Sequence, residues 1–199
     1  MLKIEFDFTE WERQAQSIEG AVDQLPYAMS LALNRAADVT RQFLIKATWP
    51  QHVVQRNASF IAASLTTRDS RASKQSLAVE IYDKLDRGNL QMQAKGGQRS
   101  PRGGSNLAVP ASSIRKTSRG VPGNLRPRNL PPSSTFKKGD VLYSKDKRTK
   151  RMRLLYVLKH ETKIPRRVPF YEDFAESMAR ELHRTMPLAM QKAMATRRR

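Results

Sequence analysis

Residues 95–167 hold 20 lysines and arginines against 3 acidic residues. Residues 1–94, by contrast, balance 11 basic against 11 acidic side chains. Nearly all of the chain's formal net charge of +19 therefore sits in one stretch. A block like that repels itself unless a polyanion or an acidic protein surface lies against it. The first part of the block also lacks material for a core. KGGQRSPRGGS (95–105), SRGVPGNLRPR (118–128) and NLPPSS (129–134) are dominated by Gly, Pro, Ser, Lys and Arg. Such a composition buries too little apolar surface to offset the entropy of ordering, which predicts a long basic loop or flexible arm over about 95–139.

The flanking sequence is patterned for regular structure. Leu2, Ile4, Phe6 and Phe8 alternate with Lys3, Glu5 and Asp7, the period of a half-buried strand. Thr9 with Glu12 reads as a capping box. It opens a helix whose stripe is Trp11, Ala15, Ile18, Val22 and Leu25. Pro26 breaks or kinks that pattern and suits the first turn of a second helix, over about 27–47. Met29, Leu33, Ala36, Ala37, Thr40, Phe43 and Leu44 form its apolar side, and Trp49-Pro50 should end it. Residues 51–75 are compatible with a short helix followed by a strand, and Leu77, Val79 and Ile81 with a strand. Beyond the arm, 141–143 and 151–160 read as strands, with Met152, Leu154, Tyr156 and Leu158 on one face. Pro169 starts a last helix with Glu172 and Asp173 in its first turn and a stripe of Phe170, Phe174, Met178, Leu182 and Thr185/Met186. Pro187 should kink it. The expected fold is α+β: N- and C-terminal helices packed on a small antiparallel sheet, with a long basic loop or arm. The expected domain is single, spanning 1–199, with a body of 1–94 and 140–199.

Several function classes find no support. With no cysteine, disulfide and thiolate chemistry are excluded. No stretch reaches the roughly 18 apolar residues of a membrane span, and the first residues do not read as a signal peptide. The chain is expected to be soluble and to belong to a reducing interior, or to a particle assembled there. His52, His160 and His183 lie far apart, without a second ligand at metal-binding spacing. They read as surface side chains. Gly96-Gly97 and Gly103-Gly104 lack a phosphate-loop arrangement, and no serine sits in a nucleophile elbow. The expectation is a protein that binds, with no catalytic site and no cofactor.

The candidate binding residues are Lys145, Lys147, Arg148, Lys150, Arg151 and Arg153, six cations in nine residues. They flank a polar connection of hairpin length, so they crowd the tip of a basic β-hairpin. That geometry suits contact with phosphates without reading bases. It equally suits acidic residues of a neighbouring subunit. Stacking of bases is not expected, because Phe136 is the only aromatic residue between 83 and 142.

The order of elements resembles the phage minor tail protein Z, or tail completion, family. Three features carry the likeness. Ala28-Met29-Ser30-Leu31-Ala32-Leu33-Asn34-Arg35-Ala36-Ala37 looks like that family's A-x-x-x-A-[IL]-N-R-x-A segment. A basic middle is followed by a strand ending Tyr156-Val157-Leu158-Lys159-His160. Ile164-Pro165-Arg166-Arg167-Val168-Pro169-Phe170 then steps into a C-terminal helix. The resemblance implies a virion structural protein of the tail or neck, made in the host cytoplasm. It would form a ring with copies of itself and meet the tail terminator or tube and the head connector, close to genomic DNA. The Gly/Pro/Arg stretch near 95–135 departs from the family pattern and takes no inference from it. The rival reading is a nucleic-acid-binding accessory protein without sequence preference.

Overall fold

The computed structural model describes residues 6–18, 21–55, 57–86, 90–101, 104–146 and 148–196. The chain divides into two compact units, one of residues 1–54, 58–94 and 167–199, the other of residues 55–57 and 95–166. Helices dominate the first and antiparallel strands the second, so the protein is α+β.

In the first unit, α1 (Thr9–Gln16) is followed by α2 (Ala21–Phe43), and α6 (Phe170–Ala195) closes the chain. Between α2 and α6 lie α3 (Trp49–His52), α4 (Ser59–Ser64), a two-stranded pair of β1 (Leu65–Thr66) with β2 (Tyr82–Asp83), and α5 (Leu90–Lys95). The apolar stripes of α2 and α6 meet each other. Ala28, Ala32 and Ala36 are fully buried at four-residue spacing, and their small side chains let α6 approach closely. From α6, Phe174, Met178 and Met186 fill the space, each contributing about 1.5–3 kcal/mol by burial. Hydroxyls buried in this seam are satisfied: Thr40 Oγ1 and Ser177 Oγ lie 3.0 Å apart, and Thr185 Oγ1 donates to the Glu181 carbonyl at 2.8 Å.

Several local expectations change. The strand expected over 2–8 lies largely outside the described residues, and its described part, 6–8, is not a strand. Thr9 is inside α1, and the carboxylate of Asp7 accepts both its N–H and its hydroxyl. The helix starting there stops at Gln16, so the long stripe does not form: Ile18 and Val22 are about half exposed. Conversely, α2 and α6 run through Pro26 and Pro187. Trp49-Pro50 does not end the second helix. A π turn, Leu44–Thr48, leads into the single turn of α3, where Pro50 sits in the first positions and needs no N–H acceptor. The strand expected over 77–82 shrinks to β2, although Ile81 is buried as expected.

The second unit corrects the arm. The chain enters and leaves it along an antiparallel pair, β3 (Gly97–Arg99) with β8 (Thr162–Ile164). Gly96 precedes this pair at φ +74°, and a Cβ there would meet the Arg166 nitrogen at 3.1 Å, so glycine is required. A four-stranded antiparallel sheet follows, with β4 (Leu107–Pro110), β7 (Met152–Lys159), β6 (Val141–Lys145) and β5 (Thr135–Lys138) side by side in that order. The strands β3, β4 and β5 thus lie in the stretch expected to be a loop. The reason is placement. Four of its apolar residues, Ile114, Val121, Leu125 and Leu130, gather on Leu155, Tyr156 and Leu142 of the sheet. The Tyr156 hydroxyl seals this cluster by donating to the Leu125 carbonyl at 2.6 Å, and burial pushes its phenol pKa up. Compactness changes at 94/95 and 166/167, not at 139/140.

A bulge also overturns the expected face of β7. Tyr143 pairs with Leu154, but the next partner of β6, Leu142, pairs with Tyr156, which leaves Leu155 without a partner. Met152 and Leu154 therefore face one way, while Leu155, Tyr156 and Leu158 face the other.

Candidate polyanion-binding hairpin

The basic tip is the connection between β6 and β7, and one carboxylate builds it. Asp146 Oδ1 accepts the backbone N–H groups of Arg148 and Thr149, each at 2.8 Å. This is the turn that aspartate favours, its side chain bonding the backbone two residues on. The backbone closes the loop, with Lys150 N–H donating to the Asp146 carbonyl and Asp146 N–H to that of Arg151, both at 3.0 Å. Lys150 adopts φ +59°, a left-handed conformation uncommon for a non-glycine residue. The amide donors of Thr149 and then Arg148 hold the Asp146 carboxyl below the usual aspartate pKa. The carboxylate is thus committed to folding the loop.

The structure separates the six predicted cations. Arg148, Lys150 and Arg151 lie exposed at the tip. Lys145 is opposite Met152 in the ladder and shares its face of the sheet. Arg153 is opposite Ser144, on the other face, where its Nη2 donates to the Ser113 carbonyl at 2.7 Å. Ser113 in turn donates to the Leu154 carbonyl at 2.9 Å, so Arg153 is tied to the segment that covers this face. Lys147 lies outside the described residues. None of Lys145, Arg148, Lys150, Arg151 and Arg153 forms an ion pair among the described residues. The described cations of the tip are therefore exposed and without an ion-pair partner among the described residues.

Register places two further lysines at the other end of β6, away from the tip. Lys137 and Lys138 of β5 lie opposite Leu142 and Val141. The readable signal was Gly139-Asp140, a two-residue connection between apolar-alternating segments, with Gly139 at φ +56°. The same register stacks Phe136 on Tyr143, with ring centroids 5.7 Å apart at 20°.

The histidines do not converge. His52 Nδ1 lies 2.9 Å from the Thr48 carbonyl, His160 Nδ1 lies 3.3 Å from that of Ser105, and the His183 ring lies beside Trp11. Among the described residues no group of three or more His, Asp or Glu is placed to hold a metal ion, and no helix is long and apolar enough to cross a membrane. Comparison of the chain with protein-family models, with curated proteins and with solved structures finds no match.

Proposed function

We propose that this protein is a non-enzymatic structural subunit of a phage particle, a tail completion or neck protein that links the tail tube or terminator to the head connector. The observation that carries this reading is where the two family-like segments lie. Ala28–Ala37 and Val168-Pro169-Phe170 are far apart in sequence, yet Ala28, Ala32, Leu33, Ala36, Val168 and Phe170 share one buried cluster. Both segments therefore belong to this chain's helical core and not to scattered surface positions. On this reading the helical unit is the scaffold. Copies associate in a ring, and each presents its basic hairpin to genomic phosphates or to acidic neighbours.

The exposed basic tip also favours a second reading, a nucleic-acid-binding accessory protein. One variant separates the two. Replacing Lys145, Lys147, Arg148 and Lys150 with glutamine removes four charges. If the tip grips duplex DNA, affinity falls with salt by roughly one power of concentration per phosphate neutralised, and the variant lowers that slope by up to about four. If the tip joins subunits, DNA affinity is little changed, while complementation of a phage lacking the protein yields separate heads and tails. Normal head–tail joining together with unchanged DNA binding overturns both readings of the hairpin.

A further inference from the structure

One face of the four-stranded sheet is covered by residues 111–134, and the other is open. On the open face, Met152 is 64%, Leu154 39%, Val109 38% and Phe136 36% exposed. The ladder places them together, for Phe136, Tyr143 and Leu154 form one cross-strand row, and Val109 pairs with Val157 in another. Apolar side chains scattered singly on a surface mean little, but a contiguous set on one sheet marks an interaction site. Three lysines share the face at its margins: Lys138 opposite Val141, Lys145 opposite Met152 and Lys159 opposite Leu107. None of the three ammonium groups meets a carboxylate among the described residues. No acidic residue occupies a paired position on this face.

We propose that this open face docks an acidic protein partner, one that presents an apolar ridge bordered by carboxylates. An apolar centre inside a charged rim is the usual anatomy of a protein interface. The sign of the rim selects the partner. A second copy would set the same three lysines against these, and like charges across an interface are strongly disfavoured. The makeup of the centre argues against unpaired nucleic acid. Its exposed groups are mostly aliphatic, and the two aromatic rings are stacked on each other. Docking of this kind uses the sheet face, sharing only Lys145 with the tip cations, and it holds whether or not the protein belongs to a phage particle.

A short peptide alternating leucine and aspartate is a suitable probe of the full-length protein, followed by amide chemical shifts. The expected result is that it perturbs Val109, Phe136, Met152 and Leu154, while a peptide alternating serine and aspartate does not. Met152→Ser should weaken binding about tenfold with melting unchanged, since the side chain is mostly exposed. Lys138→Glu, on the edge strand β5, should weaken it too and serves if the first variant fails to fold. Equal binding of both peptides, or binding indifferent to both variants, overturns the proposal. So does occupation of the same amides by a single-stranded oligonucleotide, or by a second copy as protein concentration rises.

Discussion

Asn34 shows how one polar residue holds a segment that has no regular structure of its own. Its Nδ2 donates to the Ala72 carbonyl and its Oδ1 accepts the Ala72 N–H, both at 2.9 Å, across 38 residues of chain. Ala72 is buried and Asn34 half-buried, so water replaces those bonds poorly. Asn34→Ala should therefore cost about 1–3 kcal/mol of stability, the penalty of leaving buried polar groups unpaired. Asn34→Asp should recover only part of this, because a carboxylate accepts from Ala72 N–H but repels its carbonyl. Denaturant melting of both variants checks the order: wild type most stable, then aspartate, then alanine. Equal stability of all three would mean that the clip is dispensable. Asn34 sits in the Leu-Asn-Arg-Ala-Ala segment that carries the resemblance, and the clip gives that residue a structural task. Nearby, Arg71 pairs with Asp38 at 2.9 Å and reinforces the same loop, but both are half exposed and the pair adds little.

At the level of elements, what was legible in the sequence depended on whether a stripe was continuous. The α6 stripe is long and unbroken, and Phe170, Phe174, Met178, Leu182 and Met186 are all buried. Phe174→Asp or Leu33→Asp should each cost about 4 kcal/mol or more, since each loses a buried side chain and leaves an unpaired charge in the seam. Aggregation or loss of cooperative melting is the expected readout, and a soluble variant with unchanged melting would show the faces to be misassigned. The strands were harder to read. A single bulged residue, Leu155, reverses half of β7, and period-two reasoning cannot see it. The hairpin itself was legible, and it forms between β6 and β7. However, the pairing of β5 with β6, and with it the Phe136–Tyr143 stack, went unread although the Gly139-Asp140 turn signals it. The tip also has a pH signature. Asp146 has a folded-state pKa below its unfolded value, so its contribution is fully present above about pH 4. It is lost as pH falls through the depressed value. The Arg148 and Thr149 amides should accordingly lose protection together on acidification, and Asp146→Asn should remove that dependence. An unchanged acid profile in the variant would assign the transition to another group.

For the whole molecule, the two units differ in how much holds them. The helical unit buries a cluster that runs from Ala15 to Ala193 and includes Leu33, Leu44, Phe174, Met178 and Met186. The sheet unit centres on three buried residues, Ile114, Leu155 and Tyr156. It also carries most of the positive charge, which resists compaction. Local opening is cheapest where few apolar contacts protect the backbone. Residues 95–166 should therefore open without global unfolding, at lower free energy than the helix pair. Trypsin offers a direct measure, because the segment covering the sheet holds Arg115, Lys116, Arg119, Arg126 and Arg128, all exposed. In the free protein, cleavage should begin among these residues, while the α2–α6 pair survives as a trimmed, still-helical core. Tyr156→Phe removes the hydrogen bond to Leu125 and keeps the ring, so it should speed cleavage there and leave the melting of the helical unit unchanged. Hydrogen exchange should agree, with amides of the sheet exchanging well before those of α2 and α6. If every slow amide instead exchanges at one common free energy, the units open together, and the small cluster under the sheet is coupled to the helical core. Adding an acidic partner that closes the open face should slow cleavage of the sheet unit by mass action. Protection by duplex DNA alone, lost in high salt, would instead point to the hairpin tip as the contact that orders it.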